Sequence, residues 1–362
     1  MNEIENESEN IQFEKEEVDV IEESSVAELQ KIVSYNVANT VEVLKIKIDN
    51  GEINLKPEFQ RDFVWDINRA SLFIDSLILG LPIPSIFLGK SKEDENYMVI
   101  DGQQRLKSAY YYMNGSFIAN EKSVLFTLKG LTKRDWDGLS YAELDDKFKK
   151  RIRNAVINTT IIEDIDSKPR VIHDLFHRLN TGGMPLTDQE IRNCVYTGVF
   201  NKQILELNKN PFWRKLLGVE VPDKRLRDAE LVLRFFALFL SVKYEPSMKY
   251  FLSEFQEENK DNIDFIQTNN EVFTQTVSLI FNEIGATAFK TSRAINKSMC
   301  DSIMVAIAQI LVSNKEIINL KQNYERLIID ETYIKYTQSG TSTHRNVVGR
   351  IDLARNYFLG LK

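Results

Sequence analysis

Five consecutive residues, Asp101-Gly102-Gln103-Gln104-Arg105, bring a carboxylate, a glycine, two amides and a guanidinium into one short stretch. That set suits an anionic ligand. Arginine offers a planar donor fork that can hold two phosphate oxygens at once. The glutamines can read polar edges of a base or sugar without adding charge, and Asp101 can hold a metal-bound water or orient Arg105. What positions these residues decides whether such chemistry is available. Tyr97-Met98-Val99-Ile100 reads as a strand, and Leu106, Ala109, Tyr110 and Met113 recur at helical spacing. The pattern predicts Asp101 at a strand end, Gly102 in the turn, and Gln103 to Arg105 in the first turn of a helix. Unpaired N–H groups and the positive end of the helix dipole favour an anion there. The competing reading is a structural junction whose aspartate caps the helix and whose arginine pairs with a carboxylate. Five residues alone do not separate the two.

Two further blocks carry arginines. Upstream lies Pro57-Glu58-Phe59-Gln60-Arg61-Asp62-Phe63-Val64-Trp65, followed by Gly80-Leu81-Pro82-Ile83-Pro84. Downstream lies Phe176-His177-Arg178-Leu179-Asn180-Thr181-Gly182-Gly183, followed by Leu186, Glu190 and Arg192. In this order the three blocks resemble the DGQQR-type, ParB/sulfiredoxin-like domain of GmrSD-type modification-dependent restriction systems. The resemblance spans Pro57 to Arg192 and is weak beyond it.

That resemblance implies an α+β fold, with a small mixed-sheet ParB/sulfiredoxin-like N-terminal domain followed by an all-helical domain. The expected limits are an acidic disordered tail over 1–30, the DGQQR domain over 31–166 and the helical domain over 167–362. It also implies a nucleoside triphosphate with Mg²⁺ as ligand, bound with or without hydrolysis. Asp101 and Arg105 would be the catalytic pair. Gln60, Arg61, Gly102, Gln103, Gln104, Arg178 and Asn180 would contact the nucleotide, with no metal site made of protein ligands alone. A triphosphate's charge needs more than one arginine, so Arg61, Arg105 and Arg178 are expected in one pocket. An Arg105 reserved for phosphate would contribute little to the stability of the ligand-free protein.

In GmrSD-type systems the partner domain is an HNH-like nuclease. This chain has three histidines and no H-N-H or H-x-x-P constellation in its C-terminal half, so a separate nuclease subunit and DNA are the implied partners. The chain by itself is not expected to cut DNA. The alternative is a non-catalytic DNA-binding module whose pocket holds a phosphate backbone or a modified base. Other chemistries have less support. His173 and His177 stand at the spacing of a zinc-protease helix, with no evident third ligand. No Walker-type loop is present, and neither Cys194 nor Cys300 lies in a motif that would supply sulfiredoxin chemistry.

Of 362 residues, 43% are hydrophobic and 27% charged, which fits a globular protein with room for two cores. No apolar run is long enough for a bilayer, so no membrane contact and a cytoplasmic location are expected. The net charge of −7 is unevenly placed. Through Glu23 the chain holds ten acidic residues and one lysine, which leaves 43 acidic and 45 basic residues in a nearly neutral body. A tail of this composition reads as a disordered solubiliser, or as a decoy for a basic groove.

The remaining elements follow from pattern. Helices are expected from Val41 to Ile48, Asn68 to Leu79 (Leu72, Ile74, Leu77 and Ile78 inward), Tyr141 to Asn154, and Lys168 to Asn180. Strands are expected over Ser85–Leu88, Val124–Leu128 and Val156–Ile162. Thr187-Asp188-Gln189-Glu190 has the form of a capping box. Apolar helices follow at Leu231–Val242 and Met304–Val312, and Arg350 falls on a last amphipathic helix expected over Val347–Phe358, behind a surface loop at Thr341–Arg345.

Overall fold

The computed structural model describes residues 11–14, 32–55, 65–92, 95–119, 122–165, 171, 174–176, 178, 186–241, 243–290 and 294–362. The chain divides into two compact units. One runs from Ser24 to Leu186; the other joins Met1–Glu23 to Thr187–Lys362.

The first unit is built on a mixed five-stranded sheet of order β1-β7-β3-β4-β2. Its strands are β1 (Ser34–Thr40), β2 (Ile53–Asn54), β3 (Ile86–Lys90), β4 (Tyr97–Asp101) and β7 (Val156–Ile162). β3 is parallel to β7 and antiparallel to β4, so the strand that precedes the signature lies inside the sheet. β5 (Ser116–Ala119) and β6 (Lys122–Leu125) form a separate hairpin. Among the described residues the unit also holds the helices α1 (Val41–Asp49), α2 (Ile67–Leu79), α3 (Gln103–Met113) and α4 (Asp146–Asn154), with further helical residues at 171, 174–176 and 178. Asp66 caps α2, its Oδ1 accepting from the Arg69 N–H at 2.7 Å, and Gly80 ends it in the left-handed conformation. Ile74 and Ile78 of α2, Leu88 of β3, Val99 of β4 and Leu106 of α3 share one buried core. Leu72, expected in that core, is 56% exposed instead. It shares the outer face of α2 with Asn68, Arg69 and Leu79, because a helix surrounded on one side only must leave some apolar positions in water.

In the second unit, the regular elements after Thr187 among the described residues are helices. They are α5 (Asp188–Val195), α6 (Val199–Leu207), α7 (Pro211–Leu217), α8 (Arg227–Leu240), α9 (Met248–Asn259), α10 (Ile263–Glu283), α11 (Lys297–Val312), α12 (Leu320–Leu327), α13 (Glu331–Gln338) and α14 (His344–Phe358). The chain is thus α+β. α8 and α11 are buried over most of their circumference, which explains their nearly continuous apolar sequence.

Two boundaries differ from those expected. The division falls after Leu186, because Thr187 begins α5 with both hydrogen bonds of the capping box and Gln189 to Cys194 are buried in the helical unit's interior. The tail is not wholly free either. Ile11 is buried in the helical core and Phe13 bridges Ile295, while the rest of the tail lies outside the described residues. Arg350, read as near a surface loop, is fully buried against Asp301.

Candidate functional site

The signature is a strand–turn–helix junction. Asp101 ends β4 opposite Phe87 of β3, where the register shifts between Phe87 and Leu88. Gly102 has φ +96°, and a Cβ built there would lie 2.3 Å from Cγ2 of Ile86. Both the backbone conformation and the close packing on β3 therefore require glycine. α3 starts at once, with the Leu106 N–H donating to the Gly102 carbonyl at 3.0 Å and no side chain capping the helix. Asp101 is thus not the helix cap.

Its carboxylate serves the arginine instead. Arg105 NH2 donates to Asp101 Oδ2 at 2.7 Å, and NH1 donates to the carbonyls of Pro84 at 2.7 Å and Ser85 at 3.1 Å. One guanidinium thereby ties the start of α3 to the end of β4 and to the entry of β3. The side chains are 13% exposed for Arg105 and 30% for Asp101. Arg105 thus makes three hydrogen bonds to the protein itself, which points to a contribution to the stability of the ligand-free chain beside any role toward phosphate.

Around this pair, Gln104 Oε1 accepts the Trp65 backbone N–H at 3.2 Å, so it anchors the chain just before α2. Arg69 lies 4.9 Å over the Trp65 ring. Gln103, Gln104 and Arg105 are all partly exposed. The sequence did not single out Lys107, which is only 3% exposed and stands one helical turn beyond Gln103. Buried lysine is rare without a partner, and Gln103, Gln104 and Lys107 all make further contacts. Its place four residues after Gln103 was the available signal.

The other expected contributors are less visible. Gln60, Arg61 and Asn180 lie outside the described residues, as do His173, His177 and the Gly182-Gly183 turn. Arg178 is helical and exposed. Among the described residues, no group of three or more His, Cys, Asp or Glu side chains is arranged to hold a metal. Cys194 and Cys300 are both buried, and burial pushes the Cys300 thiol well above its usual range. Neither is placed as a reactive thiolate. No helix among the described residues is long and apolar enough to cross a membrane. A cavity of about 140 Å³ lined by Tyr244, Phe251, Val347 and Asp352 belongs to the helical unit. It is smaller than the ~300 Å³ at which ligand pockets begin.

Residues 41–197 match the family model described as the GmrSD restriction endonuclease, N-terminal domain. The N-terminal part of the chain therefore resembles the N-terminal part of GmrSD-type restriction systems, over a stretch that contains the whole junction. No curated protein and no solved structure matches the chain.

Proposed function

We propose that the chain is a nucleoside-triphosphate-binding regulatory component of a DNA restriction and defence system, working with a nuclease supplied by another subunit. The match to the GmrSD N-terminal domain supports the system. The observation that carries the ligand is the start of α3, a helix N-terminus without a side-chain cap behind a glycine that admits no side chain. Backbone N–H groups of the first turn would receive phosphate oxygens, with the Gln103 and Gln104 amides at the nucleotide's polar edges. Arg105 then acts as the brace that fixes this turn, and Asp101 holds the brace. Mg²⁺, when bound with the nucleotide, would offset phosphate charge beside the Asp101 carboxylate. Arg61, Arg178 and Asn180 complete the proposed pocket.

The test is equilibrium binding of ATP and GTP to the purified chain, with and without Mg²⁺, followed by phosphate release for hydrolysis. Saturable, Mg²⁺-sensitive binding that weakens in Gln103→Ala and Gln104→Ala supports the proposal. A folded chain that binds neither nucleotide would sink it.

One observation favours the second reading, a DNA-binding module. Three exposed basic residues are fixed to successive turns of α2, Lys129 through its backbone and Arg134 and Arg151 through their guanidinium groups. The Lys129 backbone N–H donates to Ser71 Oγ at 2.9 Å, Arg134 pairs with Asp75 at 3.1 Å, and Arg151 donates to the Ile78 carbonyl at 3.2 Å. Such a row suits a phosphate backbone. Duplex affinity that falls steeply with salt, in the absence of nucleotide binding, would select it.

A further inference from the structure

The chain enters α2 through a layered contact that the junction itself holds in place. The Trp65 backbone N–H, tied to Gln104 Oε1 at 3.2 Å, sets the tryptophan beside the first turn of α3. Phe73, buried in the core, meets the Trp65 ring in a T-shaped arrangement with centroids 6.1 Å apart. Over the ring, 4.9 Å from its centroid, lies the Arg69 guanidinium. Trp65 is half-buried and Arg69 is exposed. Leu72, three residues further along the same face, is 56% exposed and gives this layer an apolar margin.

We infer that the Trp65–Arg69 layer is a stacking platform for a nucleobase, that of the nucleotide proposed above, on whose reading this inference rests. Folding alone gives Arg69 little reason to be there. It is the third residue of α2, where the positive end of the helix dipole disfavours a cation. The first turn of α2 carries no acidic residue to offset it, and Asp66 is occupied as the cap. Among the described residues, the Arg69 guanidinium forms no ion pair and, unlike that of Arg105, no hydrogen bond to the chain. What the position provides is a guanidinium held over an aromatic ring and still open to solvent. Bases stack on aromatic rings and on the plane of arginine alike, and every base has a π-face, so such a layer takes a base without selecting which. Phosphate oxygens would then meet the first-turn N–H groups of α3 and the base would meet Trp65 and Arg69, the two places being joined through Gln104.

The experiment compares MgATP with magnesium tripolyphosphate, which has the phosphates and no base, by calorimetric titration of the full chain and of Arg69 variants. Arg69 is exposed, so its variants should fold. Arg69→Ala should bind MgATP roughly five- to a hundredfold more weakly, and Arg69→Lys, which keeps the charge but not the plane, should recover little of it. Tripolyphosphate affinity should be the same in all three proteins. Of the three tryptophans, Trp136 and Trp213 are 7% and 0% exposed, so quenching of emission by MgATP should come from Trp65 and vanish in Trp65→Phe. Arg69→Lys binding MgATP as tightly as the unaltered chain, or equal losses for MgATP and tripolyphosphate, overturns the inference and leaves the nucleotide reading standing. Quenching that persists in Trp65→Phe does the same. A chain that binds neither triphosphate but holds a short oligothymidylate through Arg69 keeps the platform and moves its base to single-stranded DNA. Binding of none of the three overturns both readings.

Discussion

The two units use the same chemical pair, arginine with a carboxylate, in opposite surroundings. At the signature, Arg105 and Asp101 sit one helical turn apart, partly exposed, at the edge of a junction. In the helical unit, Arg192, Arg234 and Lys297 converge on Glu230 at 2.7, 3.3 and 3.3 Å, while Arg350 holds Asp301 through two bonds of 2.8 and 2.9 Å. Arg350 also donates to the Thr341 carbonyl. Arg350 and Asp301 are fully enclosed. Buried pairs of this kind add little net stability over apolar packing, but breaking one strands a charge. The helical unit's charges therefore specify which helices meet: α5, α8, α11 and α14. The junction's pair shapes a turn beside which Gln103 and Gln104 stay partly exposed, and the ligand proposed above would meet the protein there.

Substitutions should rank accordingly. Asp301→Ala leaves the Arg350 guanidinium buried without its carboxylate and should cost about 3–5 kcal/mol, read as a fall in the denaturant midpoint. A loss under ~1 kcal/mol would mean the network relaxes far more than its burial suggests. Arg105→Ala removes three bonds at a partly exposed site, one to a carboxylate, and should cost about 1.5–3 kcal/mol, with Arg105→Lys recovering only part. An unchanged melting temperature would show that the brace is ornamental and restore the guanidinium to the phosphates.

Acid should distinguish the units as well. Burial alone would raise the Glu230 carboxyl, but the charges of Lys297, Arg234 and Arg192 overcome it and hold the group below its ordinary value of 4.5. Its contribution is therefore fully present above pH 4.5 and is lost as pH falls through the lower folded-state value. In Glu230→Gln, the denaturant midpoint should start lower at neutral pH and fall less steeply below pH 4.5. Parallel acid limbs for both proteins would contradict this. The smallest effect is expected at Lys45–Asp49, a 2.6 Å pair on the surface of α1, where Lys45→Ala should change stability by less than about 0.5 kcal/mol.

Much of the junction was legible because its signals are local. Alternation and β-branched residues mark Val156–Ile162, helical spacing marks α2 and α3, and Thr187 with Glu190 marks the start of α5 to the residue. β1 was not legible. Ser-Tyr-Asn-Val-Ala-Asn-Thr is polar and mostly exposed, and it is a strand because β7 pairs with it along its whole length. The fates of Arg105 and Arg350 were also hidden. A guanidinium looks the same in sequence whether it awaits a phosphate or grips Pro84 and Ser85 across twenty residues. Arg350 meets its carboxylate forty-nine positions away. Partners at such separation are fixed by packing, which periodicity does not encode.

Amide hydrogen exchange of the full chain with and without MgATP or MgGTP tests the central claim most directly. A ligand whose phosphates sit at the start of α3 should slow exchange at the backbone amides of Gln103, Gln104 and Arg105, and leave α8 and α11 in the helical unit unchanged. Bound nucleotide that protects amides elsewhere while those three exchange as before would contradict it.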